Sequence, residues 1–107
     1  MKKLFTLIML LVFAGQAFAA SSEFVIQIKD HKFIPAIIEV PAEEKFKLII
    51  ENLDETAAEF ESHDLNKEKI IMGNKKTTII ITPLKSGEYV FFDDFHAKEA
   101  IGKIVAK

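Results

Sequence analysis

Apolar and polar residues alternate along much of the chain after residue 22. The two clearest runs have a large apolar residue at every second position: Phe24, Ile26 and Ile28, then Phe46, Leu48 and Ile50. Successive side chains of a β-strand point to opposite faces, so this period of two predicts strands with one buried face. Shorter β-branched or aromatic runs predict further strands at 37–40, 68–72, 77–82, 89–92 and 101–105. The pattern predicts an all-β Greek-key sandwich of about seven or eight strands.

Two segments interrupt this alternation. Residues 53–66 are rich in Ala, Glu and Asp, and we interpret them as a crossover that is irregular or contains a short helical turn near residues 56–59. Residues 94–99 form the second irregular stretch, between the last two predicted strands. Binding residues are often carried by loops on a rigid scaffold, so these acid- and histidine-bearing segments are the candidate functional regions.

A turn precedes the strand that contains the single tyrosine. Pro83 opens the turn, and Gly87 and Tyr89 follow it. This spacing resembles a tyrosine corner, in which the phenol hydroxyl donates a hydrogen bond to the backbone of the preceding loop. We expect Tyr89 to stabilise the sandwich.

The N-terminus has the pattern of a secretory signal peptide. Lys2 and Lys3 precede an apolar run, and small residues lie before the predicted cleavage site after Ala19. The apolar run is short for a membrane span. We therefore expect residues 1–19 to be removed and residues 20–107 to form a single domain in the periplasm, with no membrane span after cleavage.

Composition and the absence of known motifs argue against two classes of function. The chain has no cysteine and a formal net charge of −2, and all its basic residues are lysine, which argues against nucleic-acid recognition because arginine is favoured there. No Ser/His/Asp or Cys/His nucleophile arrangement and no glycine-rich phosphate loop is recognisable. We therefore do not expect a hydrolase.

Motifs along nearly the whole predicted domain resemble those of a cupredoxin-like domain. They are the segments 33–35, 39–42, 45–53 and 100–105, together with Gly87, Tyr89, Phe91 and Asp93 at alternate positions. In this resemblance Asp93 takes the position of the copper-ligating cysteine. A blue-copper centre depends on a Cu–thiolate bond, so we expect no type 1 copper site.

A closer resemblance is to a cysteine-less periplasmic subgroup associated with bacterial ferrous-iron transport. The segments that carry it are 56–65, 69–71 and 91–96. The resemblance implies that the protein handles Fe(II) or helps to oxidise it before membrane transport. It also implies partners among periplasmic or inner-membrane iron-transport proteins.

The same resemblance suggests the metal ligands. Glu59 takes the place of the first copper histidine, Asp93 that of the cysteine, and His96 that of a second histidine. Glu61 shares a face with Glu59 if the backbone there is extended. We predict that these four residues share a divalent ion, Fe(II) or Cu(II), because carboxylate and imidazole ligands suit both.

Other interpretations remain open at this point. A copper carrier would use His96, Met72 and the carboxylates, and a metal-free sandwich would dock a partner protein through its acidic loops. Glu59 and Glu61 also fit a solvated loop face. The roles of His31 and His63 are undetermined from the sequence.

Overall fold

The computed structural model describes residues 22–107, and the predicted signal peptide at residues 1–19 lies outside the described part of the chain. The described residues form nine β-strands and one short 3₁₀ helix. The strands are β1 Ser22–Lys29, β2 Lys32–Ile34, β3 Ile37–Val40, β4 Phe46–Asn52, β5 Ala58–Ser62, β6 Lys67–Ile71, β7 Lys76–Ile81, β8 Gly87–Asp93 and β9 Ile101–Ala106, and the 3₁₀ helix is Asp94–His96. The predicted all-β sandwich is confirmed.

The strands form two packed sheets. One has four strands in the order β2-β1-β4-β7, and the other has five in the order β3-β9-β8-β5-β6. β1 is parallel to β4 and β3 is parallel to β9, whereas the other pairs are antiparallel. Both sheets are therefore mixed, and the ends of β4, β5 and β8 lie near the loops that contain the candidate residues.

The core lies between the inner faces of the two sheets. Alternate residues are buried along the central strands, as in β4, where Phe46, Leu48 and Ile50 are at most 1 % exposed. Phe33 and Phe91 pack edge to face with ring centroids 4.9 Å apart. Such aromatic pairs contribute about 0.5–1.5 kcal/mol beyond their buried area. This packing supports the end of the sandwich at which β8 finishes.

The predicted crossover at residues 53–66 is irregular at 53–57 and 63–66, but the prediction was wrong for residues 58–62, and the segment contains no helical turn. β5 lies in that segment, with Ala58, Phe60 and Ser62 on the inner face and Glu59 and Glu61 between them. The period of two was hard to recognise because two of the three inward residues are small. The 3₁₀ helix lies instead immediately after β8, and the additional strands β2 and β5 explain why the structure has more strands than predicted.

The predicted tyrosine corner is confirmed. The Tyr89 hydroxyl donates a hydrogen bond to the backbone carbonyl of Lys85 at 2.7 Å. This hydrogen bond connects the loop before β8 to the start of that strand. The candidate site lies at the other end of β8.

Candidate metal centre

Asp93 ends β8 with its side chain directed into the interior. The side chain is 1 % exposed, and Asp93 lies opposite Phe60 in the register with β5. One carboxylate oxygen, Oδ1, accepts hydrogen bonds from the backbone N–H groups of Glu59 at 2.8 Å and Phe95 at 3.0 Å. The buried Oδ1 atom thus has hydrogen-bond donors from β5 and from the 3₁₀ helix, which holds both elements at this end.

The second oxygen of Asp93 contacts His96. Oδ2 lies 3.1 Å from Nδ1 of the His96 ring, whose side chain is 27 % exposed. A carboxylate accepts hydrogen bonds, so the neutral imidazole carries its proton on Nδ1 and its lone pair on Nε2. Nε2 of His96 is therefore the nitrogen that can bind a ligand.

The His31 ring lies face to face with the His96 ring. Their centroids are 3.7 Å apart and their planes differ by 15°. His31 belongs to the two-residue turn between β1 and β2, in which Asp30 and His31 have φ angles of 53° and 60°. Positive φ at both central residues is typical of a type I′ turn, which joins two paired strands tightly.

Asp54 holds this turn in place. It accepts hydrogen bonds from the backbone N–H groups of Asp30 at 2.8 Å and His31 at 2.9 Å, and its Oδ2 lies 3.5 Å from Nδ1 of His31. Burial acts to raise the pKa of Asp54, but the backbone N–H groups of His31 and Asp30, together with the charges of His31 and Lys29, lower the pKa below its ordinary value. Each histidine of the stacked pair therefore lies against its own aspartate.

A separate group of carboxylates lies on the outer face of the five-stranded sheet. One oxygen each from Glu59, Glu61 and Asp94 lies within 4.8 Å of the others. Glu59 and Glu61 are on this face because they alternate with the buried residues of β5. Three carboxylates at such separations can hold a divalent cation.

The charges in this outer carboxylate group (Glu59, Glu61 and Asp94) oppose one another. Desolvation, together with the negative charges of Glu68, Asp94 and Glu61 and a hydrogen bond with Asp94, raises the pKa of Glu59 above its ordinary value. Like charges held close together disfavour the ionised form, and a bound cation favours it.

Two further residues were considered as ligands from the sequence, His63 and Met72. Nε2 of His63 is 3.8 Å from a carboxylate oxygen of Glu61, and the His63 side chain is 79 % exposed. Met72, which directly follows β6, is exposed. Neither forms part of the stacked histidine pair.

The four predicted ligands therefore lie in two neighbouring sets. Asp93 and His96 are in direct contact, whereas Glu59 and Glu61 meet Asp94 on the outer face. The sequence interpretation did not identify Asp94, and it left His31 undetermined. The short Asp-His turn between two alternating runs was the available signal for His31, but only the fold shows which loop it approaches. The joint ligation of one ion by the four residues stays a prediction.

Comparison with known proteins identifies the family. Residues 3–106 match the family model of the cupredoxin-like domain, and the chain belongs to that family. It is 54 % identical over 83 residues to an uncharacterized protein of Rickettsia prowazekii (strain Madrid E). The matched region covers 78 % of this chain and 66 % of that relative, so the chain spans just under two thirds of the relative's length.

Solved structures with the same fold include copper proteins. Auracyanin A, a "blue" copper protein from Chloroflexus aurantiacus, has a TM-score of 0.71 and 13 % identity, with 82 % of this chain and 100 % of that chain covered. The metal-binding domain of the Cu(I)-exporting P-type ATPase of Streptococcus pneumoniae D39 has a TM-score of 0.68 and 16 % identity, with coverages of 79 % and 84 %. Amicyanin from Paracoccus versutus has a TM-score of 0.61 and 16 % identity, with coverages of 88 % and 88 %. At these identities the similarity shows the fold.

A type 1 copper centre does not fit this chain. Such a centre needs a cysteine thiolate, and the sequence contains no cysteine. The donors at the end of β8 are carboxylate oxygens and imidazole nitrogens. Among residues 22–107, no helix is long and apolar enough to cross a membrane.

Proposed function

We propose that this protein binds a divalent metal ion through the outer carboxylate group and handles Fe(II) for iron uptake. The observation that carries the proposal is the approach of Glu59, Glu61 and Asp94, whose ligand oxygens lie within 4.8 Å of one another. The pKa of Glu59, raised by desolvation and by the neighbouring negative charges, supports it, because a bound cation would favour the ionised carboxylate.

The ligand chemistry favours a hard or borderline ion. Carboxylate oxygens suit ions such as Mn(II) and Fe(II) better than they suit Cu(I), which prefers thiolate and thioether ligands. Carboxylates also stabilise Fe(III) relative to Fe(II). A group of three therefore makes loss of one electron from bound Fe(II) more favourable, and a partner protein or dioxygen would accept that electron.

The proposal includes a periplasmic location and a transport partner. Its support is the signal-like pattern of residues 1–19 and the resemblance of segments 56–65 and 91–96 to iron-transport components. An acidic surface at the metal group would attract a basic surface on an inner-membrane transporter and speed their encounter. The protein would then deliver iron at the same face that binds it.

Anaerobic calorimetric titration with Fe(II) tests metal binding directly. The wild-type protein should bind one equivalent, and the triple variant Glu59→Gln, Glu61→Gln and Asp94→Asn should lose this binding. Glu88→Gln is the matched control, because Glu88 is an exposed acid of β8 that pairs with Lys103 at 3.0 Å. Admitting air to the same samples measures Fe(II) oxidation. Absence of binding by the wild type, or equal binding by the triple variant, would refute the proposal.

Growth of cells tests the iron role. Cells carrying the triple variant should grow poorly on ferrous iron under iron limitation and normally with haem as the iron source. A change in copper tolerance with normal ferrous-iron uptake would favour a copper carrier instead. Normal growth of the triple variant, with loss of growth only when the whole loop end is removed, would favour a metal-free adaptor.

A further inference from the structure

Two aspartate–histidine pairs lie side by side at the end of the sandwich. Asp54 Oδ2 is 3.5 Å from Nδ1 of His31, and Asp93 Oδ2 is 3.1 Å from Nδ1 of His96. The two rings stack with centroids 3.7 Å apart. The pairs come from distant parts of the chain, so the fold itself brings the same arrangement together twice.

The carboxylates determine which ring nitrogen can bind a metal. A carboxylate that accepts a hydrogen bond from the N–H at Nδ1 keeps the ring proton there and leaves the lone pair on Nε2. Metal-bound histidines in proteins commonly have this arrangement, with a carboxylate on the ring nitrogen that does not bind the metal. His96 has this hydrogen bond with Asp93, and Nδ1 of His31 faces Asp54 at 3.5 Å, so in each pair Nε2 is the ring nitrogen not directed at the aspartate.

The backbone at His31 is a second, independent observation. His31 has φ of 60° and follows Asp30 with φ of 53°. Glycine is strongly preferred at the second central position of such a turn, because a side chain is strained there. An imidazole occupies this position, and two hydrogen bonds from the turn to Asp54 hold it against His96. The turn therefore carries an imidazole side chain at a position where glycine would strain the backbone less.

We propose that His31 and His96 form a nitrogen-donor site for a borderline divalent ion, Cu(II) or Zn(II). The site is separate from the outer carboxylate group and does not depend on the function proposed for that group. Imidazole suits Cu(II) and Zn(II), whereas carboxylates suit harder ions. The imidazole pair would bind borderline ions, and the outer carboxylate group would bind harder ions.

Access and movement are compatible with this assignment. The side chains of His31 and His96 are 37 % and 27 % exposed, so an ion from solvent can reach them. The nearly parallel rings must tilt to direct both Nε2 lone pairs at one ion.

Pulsed electron paramagnetic resonance of the protein loaded with one equivalent of Cu(II) tests the site. The nitrogen modulation counts the coordinated imidazoles, and we expect two in the wild type. His31→Gly should leave one, and the resulting Asp-Gly sequence is favoured in a type I′ turn, so the variant should fold. His31→Asn provides a second variant whose side chain tolerates positive φ. His63→Ala is the control, because it removes the remaining histidine of the chain.

Measured Cu(II) affinities show whether the Asp54–His31 pair takes part in metal binding or only in packing. Asp54→Asn should weaken Cu(II) binding by about 10- to 100-fold, as expected for a group that orients a ligand. The triple variant of the outer carboxylate group should keep both imidazoles, even if the Fe(II) proposal fails. One coordinated imidazole in the wild type, two in His31→Gly, or loss of an imidazole in His63→Ala would each overturn the assignment.

Discussion

The carboxylate of Asp93 accepts a hydrogen bond from the backbone N–H of Glu59 at 2.8 Å, yet the side chains of these two residues lie on opposite faces of the same sheet. Asp93 lies opposite Phe60, which faces the core, so the neighbouring Glu59 faces outward. The two residues are therefore linked through the Glu59 backbone, while their carboxylates lie on opposite faces of the sheet. Asp93 acts at this end by holding β5, the 3₁₀ helix and His96 together.

Removal of the Asp93 carboxylate should destabilise the protein. Asp93→Ala leaves the N–H groups of Glu59 and Phe95 without their acceptor, and a buried unsatisfied group costs about 1–3 kcal/mol. We expect the free energy of unfolding, measured with urea, to fall by about 3 kcal/mol.

Asp93→Asn is the matched variant. Its amide oxygen can still accept both N–H groups, so the loss should be smaller. Its amide nitrogen would donate to Nδ1 of His96 and move the ring proton to Nε2, which nitrogen-15 NMR can detect. Equal stability of Asp93→Ala and the wild type would contradict the proposed role of this carboxylate.

Neutralising Glu59 should stabilise the metal-free protein near neutral pH. The pKa of Glu59 is raised on folding, above its ordinary value of 4.5. A carboxylate with a raised folded pKa contributes stability that is present below the unfolded pKa and is lost as the pH rises through the folded pKa. Glu59→Gln should therefore increase the urea midpoint near neutral pH and leave it nearly unchanged well below pH 4.5. A lower midpoint near neutral pH would contradict the inferred repulsion, and Glu88→Gln should show no such gain.

Asp54 has the opposite pH dependence. Its pKa is lowered on folding from the ordinary value of 3.8, so its contribution is present above that value and is lost as the pH falls through the folded pKa. Asp54→Asn should reduce the free energy of unfolding by about 2 kcal/mol near neutral pH, because two N–H groups lose a charged acceptor. The difference between the two proteins should shrink on acidification below pH 3.8. A difference that stays constant with pH would show that the charge is not responsible.

A side chain larger than that of glycine at position 102 should destabilise the protein. A Cβ at this position would lie 2.5 Å from the Phe91 ring and 2.6 Å from the Ala36 carbonyl oxygen. Gly102→Ala should lower the free energy of unfolding by about 1–3 kcal/mol, the usual cost of overpacking. Ser86→Ala, in an exposed loop, is the control and should be nearly neutral. A neutral Gly102→Ala would mean that β9 moves away from Phe91 without cost.

The sequence by itself determined the fold class. Large apolar residues at every second position of β1 and β4 are a local property of the chain, and burial of one face follows from this pattern. The tyrosine corner was predictable for the same reason, since its partners Lys85 and Tyr89 are close in sequence. The alternation in β5 is weaker, because Ala58 and Ser62 are small, and that strand was mistaken for an irregular crossover.

Only the tertiary structure decided which of the candidate site side chains meet. His31 and His96 are separated by most of the described chain, and their stacking depends on how the β1–β2 turn approaches the end of β8. Glu59 and Asp93 are close in space, but the pleat of β5 directs one outward while the other is buried. Spacing along the chain identified the acidic and histidine-bearing segments. The register between strands determined which side chains of these segments share a face, because a shift of one residue moves a side chain to the other face of a sheet.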